Sequence, residues 1–260
     1  MEEKSEENSE QTYDYLCTVE RSPEDKRDWV FRDRTLEFPD EVDLRSSLPK
    51  IRNQGSYGAC MAFSACCAKE YQERIDYNFQ EYFSPKFFYG QRTNKNTPGM
   101  YGRDAMKILR RIGVCYEKSC PYKDIDDASY DYSPHFEEAK HHIISHYAQV
   151  HDIESACHAI AEQGVCIITV PVYKKENDIW NKESENDPFL GGHAMAIVGY
   201  SVKKKHFIIR NSWGTSFGDK GYCYYPFNEW GRHWEIWTTV DDDTKIDRLP
   251  DKTCPTCTLM

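Results

Sequence analysis

The chain has 260 residues, room for one large domain or two packed lobes, and carries 33 basic against 43 acidic residues for a net charge of −10. That balance, with no basic stripe, argues against nucleic acid or an anionic membrane surface as the main partner, since both need clustered positive charge. The longest apolar runs, VCIITV (165–170) and HAMAIV (193–198), fall far short of the roughly 20 residues of a membrane span, so no stable membrane insertion is expected.

The N-terminal MEEKSEENSE is acidic and polar, the reverse of a signal peptide. Without one, the eleven cysteines read as free thiols in a reducing, cytoplasmic setting. Residues 1 to about 12 have the composition of a disordered segment, and residues 241–260, opening with three aspartates, that of a flexible tail. A body of roughly 200 residues lies between them.

From Cys60 to Ile75 there is no Gly or Pro, and Phe63, Cys66 or Cys67, Tyr71 and Ile75 recur every three or four residues, which predicts a helix with one buried face. A second helix is predicted over 103–112 (RDAMKILRRI), closed by Gly113. After about residue 150 short β-branched and aromatic runs follow at 165–172, 194–200, 206–210 and 221–225, separated by turn residues. A helical lobe over about 50–150 and a stranded lobe over 151–240 are expected, an α+β chain.

Cys60 falls on the first turn of the predicted helix, where unpaired N–H groups and the helix dipole favour the thiolate, the nucleophilic form. Cys66 and Cys67 lie deeper in the helix and read as core. A nucleophile needs a base, an orienting group and donors for an oxyanion. In GGHAMAIVGY (191–200) a histidine opens a strand, and in HFIIRNSWG (206–214) an asparagine closes the next. The turn between them is centred near residue 203, so antiparallel partners should have numbers summing to about 406, which sets His193 and Asn211 diagonally opposed on one face. The amide oxygen is expected to hold the Nδ1 hydrogen of His193 and leave Nε2 to face the thiol. Gln54, six residues before Cys60 across a loop with Gly55 and Gly58, supplies an oxyanion donor together with the Cys60 N–H.

With NQGS (53–56), GAC (58–60), AFS (62–64), GV (113–114), CPY (120–122), GHA (192–194), VGY (198–200), NSWG (211–214) and GDKGY (218–222), these residues resemble the papain-like cysteine peptidases across about 38–240. PDEVDLR (39–45) looks like the start of a mature peptidase of that family. The resemblance implies a two-lobed fold, helical on the left and β-barrel-like on the right, with the site in the cleft between. It makes Cys60 the nucleophile, His193 base and then acid, Asn211 its orienter and Gln54 the oxyanion donor, with Trp213 covering the His–Asn bond and lining the leaving-group side. Gly192 would line the substrate side. The implied reaction is hydrolysis of a protein or peptide, most simply as an endopeptidase, through an acyl-enzyme with no cofactor or metal. A transamidase using the same thiol and an inactive scaffold that binds partners are the alternatives.

The family usually has a cysteine where Tyr57 stands, an aromatic where Met61 stands and a tryptophan at Phe217. Loss of the first removes a disulfide typical of secreted members. Only about 38 residues precede the mature-like start, and SPEDKRDW (22–29) is similar to the short N-terminal region of compact microbial or viral intracellular members, so no inhibition of the propeptide type is expected. At the other end, Cys254 and Cys257 supply only two zinc ligands, whereas Cys257 within the terminal Cys-Thr-Leu-Met forms a candidate prenylation box and weak lipid anchor, with a plain tail as the alternative.

Overall fold

A computed structural model describes residues 14–32 and 37–240. The expected disorder of residues 1–12, the 241–260 tail and Cys257 therefore lie outside the described residues. The first long helix, α1 (Cys60–Tyr77), begins where the cysteine-rich run predicts and ends at Asn78, whose left-handed φ of 53° closes it. Two shorter helices, α2 (Pro85–Gly90) and α3 (Gly102–Arg111), complete the helical lobe's core. Gly113, at φ 80°, ends α3 by donating its N–H to the Ile108 carbonyl, a left-handed turn that glycine adopts without strain.

The second half brings α4 (Phe136–Ala139) and α5 (Ile153–Gln163), with the strands β1 (Glu41–Asp43), β2 (His146–Gln149), β3 (Cys166–Val172), β4 (Gly191–Ser201), β5 (His206–Arg210), β6 (Tyr222–Pro226) and β7 (Glu235–Val240). The strands form one antiparallel sheet in the order β2-β7-β3-β4-β5-β6, with β1 also paired to β4. The path is open, with β2 and β6 at its ends, rather than a closed barrel.

Side-chain alternation splits the core in two. Ala194, Ala196 and Val198 of β4 pack with α1, α2 and α3, whereas Met195 and Ile197 pack on the opposite face with α5. The predicted hairpin has the expected register: Ala196 pairs with Arg210 and Ile197 with Ile209, both summing to 406. A bulge at Ile197/Gly199 then shifts the pairs nearer the turn by one. The helical lobe thus meets the sheet along the face and end where Cys60, His193 and Asn211 come together.

Candidate active site

His193 and Asn211 are both buried, and His193 Nε2 lies 2.8 Å from Asn211 Oδ1. The pairing is the expected one, but the ring is reversed: Nε2 rather than Nδ1 meets the amide. Nδ1 is buried with no hydrogen-bond partner among the described residues. The sequence register fixes which residues meet but not the side-chain torsion, and the diagonal offset brings the far nitrogen to the amide. Asn211 Oδ1 also accepts the Ser212 N–H at 2.7 Å, which fixes the amide orientation. Trp213 covers the pair, its ring 4.5 Å from the imidazole. Burial holds His193 down at about 4, partly offset by the bond to Asn211.

Cys60 stands at the first residue of α1 and is fully buried. Its thiol sits by the backbone N–H of Ala194, the residue after His193, and by those of Met61 and Cys60 itself. These groups favour the thiolate as the helix-start argument expects, yet burial dominates and pushes the thiol up to about 12. The expected rise in thiolate is therefore not what this state holds. Cys66 and Cys67 are core residues, also with raised thiols.

Gln54 is buried, with its Nε2 donating to the Tyr57 carbonyl at 2.8 Å and its Oε1 accepting from Ser212 Oγ at 2.7 Å. Ser212 is the residue that sequence reasoning passed over. It ties the His193 orienter to the glutamine on the other lobe, and it lay in the NSWG motif. Tyr57, where the family's cysteine would stand, packs edge-on to Tyr122.

What buries the thiol is the chain's own N-terminal segment, which crosses the cleft. Tyr15 stacks on Trp213 at 4.8 Å and donates its hydroxyl to the Trp213 carbonyl at 3.0 Å. Thr18 bridges Gly192, and the Val19 N–H donates to the Gly192 carbonyl at 2.9 Å. The fit is close because the walls are glycine: a Cβ on Gly99 or Gly191 would meet the carbonyl oxygen of Thr18 or Cys17 at 1.8 Å, and one on Gly192 would meet that of Val19 at 2.1 Å. Further along, Glu20 bridges Tyr101 and Val30 bridges Gln149 at the edge of the sheet. Arg103 of α3 grips Asp28 through Nε at 2.8 and 3.0 Å. The strap is therefore anchored beyond both ends of the site. The expectation of an open cleft does not match this arrangement, because the strap binds through backbone contacts that leave no sequence motif.

A model of the family described as papain family cysteine protease matches residues 38–236. The chain belongs to the papain family of cysteine proteases. Among papain-family relatives, cathepsin S of Mus musculus is 30% identical over 210 residues, covering 74% of this chain and 59% of its own length. Papain of Carica papaya is 28% identical over 204 residues, covering 74% of this chain and 56% of its own. The chain thus spans less than two thirds of the length of these curated relatives. Xylellain, a cysteine protease from Xylella fastidiosa, has a similar fold, with a TM-score of 0.75 over 89% of this chain and 98% of xylellain at 24% identity. The two-lobed papain-like fold, helices against an antiparallel sheet, is accordingly that of this chain.

Proposed function

We propose that the chain is a cysteine peptidase that hydrolyses peptide bonds in protein or peptide substrates, and that residues 14–32 hold it latent. The observation that carries the first part is the buried His193, bound through Nε2 to Asn211 with Nδ1 unpartnered, beside the thiol at the start of α1. With Nε2–H donating to Asn211, Nδ1 is the lone pair that takes the Cys60 proton. The thiolate attacks the substrate carbonyl carbon, and the oxyanion is met by the Cys60 N–H, one of the unbonded donors of a helix start, and by Gln54 Nε2. Tyr57 uses only one of the two hydrogens of that amide. Collapse expels the amine, which takes the proton from Nδ1, and a thioester remains on Cys60. Water then gives a proton to Nδ1 and attacks the thioester, releasing the acid and restoring the thiol.

Support for a peptide substrate comes from the strap itself, an extended segment seated against glycines directly over the thiol. Its direction supports latency. A substrate places its N-terminal, acyl part away from the leaving-group side, whereas the strap has its N-terminal Tyr15 against Trp213. Each of its peptide bonds is presented with C=O and N–H exchanged. The nine described cysteines are free thiols, which supports action in a reducing, cytoplasmic compartment. Cleavage of a peptide library by the chain with Tyr15→Ala, and none by the same chain carrying Cys60→Ser, is the expected result. A library left intact by both, with the fold retained, favours the binding scaffold; products joined to an added amine favour the transamidase.

A further inference from the structure

Beyond Cys60 the cleft wall is a row of three side chains from neighbouring strands. Thr169 of β3 is paired with Ala194 of β4 on one side and with Glu235 of β7 on the other. Ala194 faces the helical lobe, so the whole row does. With strands about 4.8 Å apart, Glu235 stands roughly 10 Å from Ala194, whose N–H borders the nucleophile. That distance is within reach of a substrate side chain lying against the wall. The other wall is Gly102 at the start of α3, where a Cβ would meet Glu235 Oε1 at 2.4 Å.

A buried carboxylate in a peptide cleft needs a partner. Glu235 is 7% exposed, and the partner it has is the strap: Ser22 Oγ donates to Glu235 Oε1 at 3.1 Å and itself accepts the Arg103 N–H at 3.0 Å. The Arg103 guanidinium, whose charge also reaches Glu235, is committed to Asp28 of the same strap. Thr169 Oγ1, in the middle of the row, is buried without a hydrogen-bond partner among the described residues. When the strap leaves, Glu235 loses its hydroxyl and the pocket between Thr169, Gly102 and Glu235 opens with a carboxylate at its end. Tyr15 marks the leaving-group side, so this pocket lies on the acyl side of the scissile bond.

We propose that Glu235 determines specificity by selecting substrates with a lysine or arginine side chain on the acyl side of the bond that is cut. The proposal rests on the peptidase reading above. The neutral isostere of arginine, citrulline, is the informative comparison, because it keeps shape and removes charge. The test uses the full-length chain with Tyr15→Ala, which unseats the strap, and peptides carrying arginine or citrulline at each of the positions on the acyl side. At one position arginine should exceed citrulline at least about tenfold in kcat/KM, the order expected for a desolvated charge-assisted hydrogen bond. Adding Glu235→Gln should bring the ratio to about 1 and leave citrulline peptides within about threefold, with Glu235→Asp intermediate. A ratio unmoved by Glu235→Gln overturns the proposal. So does equal cleavage of both peptides in the parent, the outcome if Arg103 captures Glu235 once Asp28 is gone. Labelling of Cys60 by a thiol-directed epoxide in each variant certifies an intact site. Failure to label or cleave in the parent removes the peptidase reading itself, and the proposal with it, a result distinct from lost selectivity in a working enzyme.

Discussion

His193 Nε2 meets Asn211 Oδ1 at 2.8 Å, and this single bond decides which nitrogen serves the nucleophile. Replacing Asn211 by Ala frees the ring to turn about its side-chain torsions. Because small misplacements of a reacting group cost up to about a hundredfold, kcat should fall roughly 10- to 100-fold with KM little changed. Steady-state kinetics on a fluorogenic peptide measure this, and a change confined to KM would contradict the orienting role.

The strap is held at one end by the Tyr15–Trp213 stack and hydroxyl bond. An aromatic pair and a hydrogen bond are each worth about 1 kcal/mol, so Tyr15→Ala should raise the iodoacetamide reaction rate of Cys60 roughly tenfold or more. Mass mapping over time reads it. The same spectra should show the reversed segment 14–22 uncut in the parent chain. Rapid self-cleavage within it would contradict the assigned direction.

Burial of His193 sets a pH dependence of stability. Its folded value is about 4 against an ordinary 6.5, so between those values the unfolded chain binds a proton that the folded chain refuses. Stability therefore falls as pH drops through that window and levels off below it. The contribution is about 3 kcal/mol between pH 7 and pH 4. Denaturant unfolding of the parent and His193→Gln at both pH values should show the parent losing about that much more. His233, held down at about 4 by burial, is present in both chains and cancels. Equal losses would show that His193 takes up its proton in the folded state.

Ser212 couples the two lobes' contributions, since its N–H holds Asn211 and its hydroxyl holds Gln54. Ser212→Ala should lower kcat several-fold. Combined with Gln54→Ala it should cost little more than Gln54→Ala alone, because both remove one oxyanion contact. Additive losses in this double-mutant cycle would separate Ser212 from the oxyanion donor.

What the sequence reveals follows from how local each signal is. The start of α1 at Cys60 and the Gly113 stop are written in spacing and turn chemistry, and the His193–Asn211 pairing follows from the symmetry of one short hairpin. The reversed imidazole is a torsion, which spacing does not carry. The raised Cys60 thiol depends on what covers it, and the cover is a segment forty residues away in sequence that binds by backbone against glycines. β7 escaped notice because Glu235, Thr238 and Thr239 interrupt its apolar pattern, although all three are buried. The residue proposed to read the substrate therefore lies in the strand that was hardest to see. α5 had a legible start, with Asp152 capping it by accepting the Ser155 N–H at 2.7 Å.

The central claim is that Cys60 is a nucleophile activated by His193 once the strap is displaced. The full-length chain with Tyr15→Ala, treated with a thiol-directed epoxide and mapped by mass spectrometry, tests it most directly. The account predicts one adduct, on Cys60, lost in the same chain with His193→Ala, while the other eight described cysteines stay unmodified. An unlabelled Cys60, or labelling indifferent to His193→Ala, would contradict it.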